Sequence, residues 1–212
     1  MITGIYRGGL GNQLFQIATG YGLALTNNDE YKINPRQFKF CGQGHDIRKY
    51  LDNIYKNIDI TDIVPTCVIT ERNIDNGYDS GTDVILDGFF QTSKHFIDYR
   101  AELQELFYIP PKNIYEPNTC IIHIRCGDFL QNPNMIVITP KYFKDATDLI
   151  LSKCPQAKFN VISDSSEATI KKYLENIDYS IINGDEYSAL DALVQSDYAI
   201  ISNSSFSWWG TY

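Results

Sequence analysis

The chain has 212 residues, with 18 Lys+Arg against 26 Asp+Glu and a formal net charge of −8. That balance, with no basic run anywhere, excludes a protein that neutralises nucleic-acid phosphates with clustered cations. A hydrophobic fraction of 43% and an aromatic fraction of 13% supply a core, and the length suits one domain or two small lobes sharing a cleft.

No apolar stretch approaches the roughly 20 residues of a transmembrane helix. The N-terminus MITGIYRGGL lacks the basic, apolar and small-residue regions of a signal peptide. The expectation is a soluble, cytoplasmic protein, with peripheral membrane association left open. Five cysteines (Cys41, Cys67, Cys120, Cys126, Cys154) form no CxxC pair, and His45, His95 and His123 are scattered. This pattern reads as free thiols with no metal site.

In chain order, ITGIYR alternates like a short strand and GGLGN breaks it. From Asn12 the apolar positions Leu14, Ile17, Ala18, Tyr21 and Leu25 fall at helical spacing. Residues 35–82 are irregular, with a strand candidate at 66–70. A strand at 83–87 and a helix over 93–107 follow, then the connector IPPKNIYEP ending at Pro117, which is the best domain boundary. Beyond it the pattern predicts strand 120–125, helix 141–153, strand 159–163, helix 167–174, strand 180–182, helix 187–195 and strand 198–202. Short apolar runs alternating with amphipathic helices indicate an α/β fold with parallel sheets, in which ligands bind at the carboxyl ends of strands.

Four segments at such positions carry polar chemistry. Gly8-Gly9-Leu10-Gly11-Asn12 is neither GxGxxG nor a Walker loop; its glycines permit positive φ and close approach of a ligand, or it is a tight turn with Asn12 as helix cap. His123 and Arg125 are two apart, on one side of a strand, before Gly127 and Asp128. Arg125 is the only arginine after Arg100, in a half where residues 116–212 hold 7 Lys+Arg against 12 Asp+Glu. Its fork suits a pyrophosphate, or pairs with Asp128 as a structural salt bridge. Asp164, in the strand-ending SDSS, serves a sugar hydroxyl or a base, or caps a helix. The polar run Ser202-Asn203-Ser204-Ser205 follows an apolar strand and offers N–H and O–H donors at a helix start, ahead of Trp208 and Trp209.

Taken together, GGLGNQLFQ at 8–16, DGFFQTSKHF at 87–96, HIRCGDF at 123–129 and ISNSSFSWWG at 201–210 resemble the motifs of the α-1,2-fucosyltransferases, in the family's order. The resemblance implies a GT-B-like fold of two Rossmann-like lobes. Residues 1–115 would be the acceptor side with the GGLGNQ loop, and 116–212 a short GDP-sugar-binding lobe. It further implies inverting, metal-independent transfer of L-fucose from GDP-β-L-fucose to the 2-hydroxyl of a galactoside, with no cofactor beyond the donor.

Carried over by position, Arg125 matches the first arginine of HxRRGD and would hold the β-phosphate; His123 and Asp128 would border the nucleotide. Asn12 would face the fucose and phosphate, with Gly9 and Gly11 admitting the donor. Asn203, Ser204 and Ser205 would meet the pyrophosphate, and Asp191 would read guanine. This chain departs from the pattern where the second arginine is replaced by Cys126, and it ends at Tyr212, soon after the last motif. A weakened or inactive GDP- or glycan-binding homologue, or a transferase using another GDP-sugar, is the alternative.

Overall fold

The computed structural model describes residues 1–40, 45–79, 81–107, 109, 111–127 and 136–212. These form two compact units, Met1–Ile109 and Pro110–Tyr212, which divide inside the connector.

The first unit holds β1 (Ile2–Gly4), α1 (Leu10–Thr26), β2 (Cys67–Thr70), β3 (Val84–Asp87) and α2 (Arg100–Leu106). Its sheet runs β1-β3-β2, all parallel, with Ile2 opposite Val84 and Cys67 also opposite Val84. Single bridges from Tyr6 to Phe38 and from Ile33 to Ile60 extend this layer through chain too irregular to form strands. Buried phenols hold that region: Tyr6 Oη lies 3.0 Å from Tyr31 Oη and 3.4 Å from Thr3 Oγ1, and it accepts from Gly4 N.

Two expectations in this unit need correction. The helix expected over 93–107 is a turn at Ser93, a 3-10 turn at Ile97–Tyr99 and only then α2. Phe96, fully buried against the Phe15 ring at 6.0 Å, adopts φ −145°, which interrupts helical geometry. Asn12 is not the cap of α1. Gly8, at φ +77°, turns the chain early enough for Leu10 to begin the helix, so Gly9 is the cap and Asn12 sits in the first turn.

The second unit alternates strictly: β4 (Thr119–Ile124), α3 (Pro140–Lys153), β5 (Lys158–Ser163), α4 (Glu167–Tyr173), β6 (Tyr179–Ile181), α5 (Glu186–Gln195), β7 (Tyr198–Ile200) and α6 (Ser205–Thr211). The parallel order is β6-β5-β4-β7. The two-residue period of β4 divides its side chains between two cores. Cys120, Ile122 and Ile124 pack with Phe143, Val161 and Ile170 on one face. Ile121 packs with Ile162, Ala192 and Leu193 on the other. A sheet covered on both faces explains why β4 is apolar along nearly its whole length.

Candidate nucleotide-sugar site

The carboxyl ends of β4, β5 and β7 lie side by side in the second unit, and three of the polar segments meet there. Arg125 N donates to Ser202 Oγ at 3.1 Å, and Ser202 Oγ donates to the His123 carbonyl at 2.7 Å. One buried hydroxyl therefore ties the loop after β7 to the end of β4. Asn203 Nδ2 donates to the Ile136 carbonyl at 2.7 Å, while Ser204 N turns back on the Ser202 carbonyl at 2.8 Å and Ser204 caps α6 without a side-chain cap bond. His123, Arg125, Asn203, Ser204 and Ser205 thus belong to one edge.

Arg125 pairs through Nη1 with Asp164 Oδ2 at 2.6 Å. The other oxygen, Asp164 Oδ1, accepts from Cys126 N and Gly127 N, each at 3.1 Å. The expected alternative partner, Asp128, lies outside the described residues. Nor does Asp164 cap α4: Ser166 does, accepting from Thr169 N at 3.3 Å, because Asp164 reaches back across the sheet instead. Sequence reasoning left Asp164 between a ligand contact and a cap and missed this third use. Only its place at the end of a strand hinted at it.

His123 is 7% exposed, and its ring centroid lies 6.0 Å from that of Phe206. Burial pushes its pKa down to about 4, with the Asp164 charge opposing and Arg125 reinforcing the shift. It is therefore a neutral imidazole at neutral pH, and its Nδ1 has no hydrogen-bond partner among the described residues. Cys126 points the other way, into the core of Ile122, Ile124 and Phe143. The position where the resemblance expects a second arginine thus faces the core.

Asp191 is placed elsewhere, buried in α5. Its carboxylate accepts from Lys112 N at 3.1 Å, Asn113 N at 3.2 Å, Asn113 Nδ2 at 3.0 Å and Gln195 Nε2 at 3.2 Å. Those bonds fill its acceptor capacity, so in this structure Asp191 anchors the connector rather than offering itself to a base.

In the first unit the glycine turn and the DGFFQ segment meet. Gln91 Nε2 donates to Asn12 Oδ1 at 2.7 Å, and Arg7 Nη2 pairs with Asp87 Oδ1 at 2.6 Å. Glu71 Oε1 accepts from Phe89 N at 2.8 Å and Phe90 N at 2.6 Å, which holds Phe90 at the unfavourable φ of +50°. Gly9 has open space where a Cβ would stand, and Gly11 is buried in the first turn of α1. Among the described residues no group of three or more His, Cys, Asp or Glu side chains could hold a metal ion, and no helix is long and apolar enough to cross a membrane.

The profile of glycosyl transferase family 11 matches residues 77–212, which spans both the DGFFQ segment and the whole β4–β7 edge. The chain belongs to this family. It is 29% identical, over an alignment 248 positions long, to an alpha-1,2-colitosyltransferase of Escherichia coli, covering 97% of this chain and 84% of that one. It is 31% identical over 143 residues to the O-antigen biosynthesis glycosyltransferase WbnK of Escherichia coli, covering 63% of this chain and 46% of that one. In fold it is similar to crystal structures of the fucosyltransferase NodZ from Bradyrhizobium. One has a TM-score of 0.56 at 11% identity, covering 99% of this chain and 91% of NodZ; the selenomethionine form has a TM-score of 0.52 at 13% identity. This family 11 glycosyltransferase is thus a GT-B-like α/β protein.

Proposed function

We propose that this family 11 glycosyltransferase moves L-fucose from GDP-β-L-fucose to the 2-hydroxyl of a galactoside, with inversion and without a metal. The observation that carries the proposal is Arg125, set at the carboxyl edge of a parallel sheet beside the Ser202–Ser205 loop. In the reaction the acceptor oxygen bonds to the sugar anomeric carbon as the bond to the diphosphate breaks. The electron pair departs on GDP, and the acceptor hydroxyl gives up its proton to the surrounding water.

Negative charge then grows on the diphosphate, where a fixed guanidinium acts most strongly in the transition state. Ser204 and Ser205 lie on the same edge to meet the phosphates. His123, buried and neutral, supports the loop from behind. The second unit carries the GDP-sugar; the first carries the acceptor side with Asn12.

Loss of one such donor costs about 3–4 kcal/mol of barrier, on the order of a hundred- to a thousand-fold in rate. Calorimetric titration of GDP-fucose and a transfer assay with a galactoside should show saturable binding and turnover in the wild type. Arg125→Ala should lose at least a hundredfold in kcat/KM. Wild type without binding or transfer, or an unimpaired Arg125→Ala, sinks the proposal.

A second reading changes only the donor sugar. It is favoured by the colitosyltransferase, whose similarity extends over 97% of this chain. Colitose is L-fucose without its 3-hydroxyl, so a panel of the two GDP-sugars decides between them. A site that hydrogen-bonds that hydroxyl should prefer fucose strongly, and one that does not should accept both.

A further inference from the structure

We propose that Asp164 is the positioning residue for Arg125: through one carboxylate it holds both the guanidinium and the backbone of the loop that carries it. The inference rests on the assignment of Arg125 to the diphosphate and adds to it the residue that sets its aim.

Four observations converge. The Arg125 Nη1, Cys126 N and Gly127 N groups all donate to Asp164, at 2.6, 3.1 and 3.1 Å. The residues on either side of Asp164 are held: Ser163 Oγ donates to the Ile124 carbonyl at 2.7 Å, and Ser165 N donates to Ser163 Oγ at 3.0 Å, which locks the end of β5 to the end of β4. Gly127 is packed so closely that an added Cβ would lie 2.6 Å from Asp164 Oδ2 and 2.8 Å from its Cγ. Finally, the paired side chains are only 25% and 26% exposed, so water screens the ion pair incompletely.

An arginine side chain is long and loses much rotamer freedom when a ligand must order it. One oxygen of Asp164 fixes the fork, and the other fixes Cys126 and Gly127, the residues after it. Side chain and loop are thus registered to the same neighbouring strand before any ligand arrives, which lowers the ordering cost of binding. The glycine at 127 follows from this arrangement, because any side chain there would push the carboxylate off the loop.

The competing view is that Asp164 stands where a phosphate should bind and has to leave. The two views differ in sign. GDP affinity is to be measured by calorimetry for the wild type, Asp164→Asn, Arg125→Ala and the double variant, with thermal midpoints in parallel. Asp164→Asn should weaken GDP at least tenfold in the wild-type background and less than threefold in Arg125→Ala, because the carboxylate acts through the guanidinium. Its thermal shift should be smaller in Arg125→Ala, where the ion pair is already absent.

Gly127→Ala keeps both charges and crowds the carboxylate; it should weaken GDP in the same direction. Unchanged or tighter GDP binding by Asp164→Asn overturns the proposal, as does an equal loss in both backgrounds. If Arg125→Ala alone leaves GDP affinity intact, the assignment of Arg125 fails instead, and the premise falls with it.

Discussion

Alternation along β4 sets the chemistry of each residue at its end. His123 and Arg125 fall on one side, while Cys126 continues the row of Ile122 and Ile124 into the core. Cysteine suits that place: it is small and readily buried, whereas an arginine in this geometry would bury a charge among Ile124 and Phe143.

His123 has a testable acid signature. Its folded pKa is about 4, below the ordinary 6.5, because burial disfavours the imidazolium. Between those values the unfolded chain binds a proton that the folded chain refuses, so folding stability is full above pH 6.5 and is lost as pH falls towards 4. At pH 4.5 the loss from this group is about 2–3 kcal/mol. Urea unfolding at pH 7 and pH 4.5 should show that difference in the wild type and a correspondingly flatter profile in His123→Asn. Equal pH dependence in the two proteins refutes the assignment.

Among elements, the glycine turn before α1 shows two glycines with opposite reasons. Gly8 needs its φ of +77°, and a Cβ there would lie 2.3 Å from Asn12 Nδ2. Gly9 has an ordinary φ of −73° and open space around the missing Cβ. Gly8→Ala should therefore destabilise by about 1–3 kcal/mol, while Gly9→Ala should stay within about 0.5 kcal/mol of the wild type. Denaturant midpoints for the pair check both, and equal midpoints would contradict the distinction.

This turn also marks the limit of what sequence patterns reveal. The strand, the break and the helix were legible from the period of Leu14, Ile17 and Ala18, as were the alternating elements from β4 to β7. The bond from Gln91 to Asn12 was not, since it joins segments far apart in the chain. Apart from β2, expected at 66–70, the described residues of 35–82 were opaque for a related reason. They are held by buried Tyr50 and Tyr55, short turns and side-chain bonds such as Asn34 Nδ2 to the Ile63 carbonyl, none of which has a period to detect. Asp164 was visible as a strand-end polar residue, but its partner on the adjacent strand depended on sheet order.

At the scale of the whole molecule, the chain divides between Ile109 and Pro110, and Asp191 explains why the connector beyond that point travels with the second unit. Lys112 N and Asn113 N are both bound to its buried carboxylate. Two readings of Asp191 therefore compete: an anchor for the connector, which the geometry supports, and the guanine contact that the family resemblance implies. Asp191→Asn separates them, because an amide nitrogen turned towards those backbone donors cannot accept from them. As an anchor, the substitution should cost about 2–3 kcal/mol of stability, since it strands buried N–H groups, and should speed amide exchange at Lys112 and Asn113 by at least tenfold. Discrimination between GDP and ADP should then change little. Unchanged stability and exchange, together with collapsed base discrimination, would instead return Asp191 to the nucleotide and leave the connector held by its packing alone.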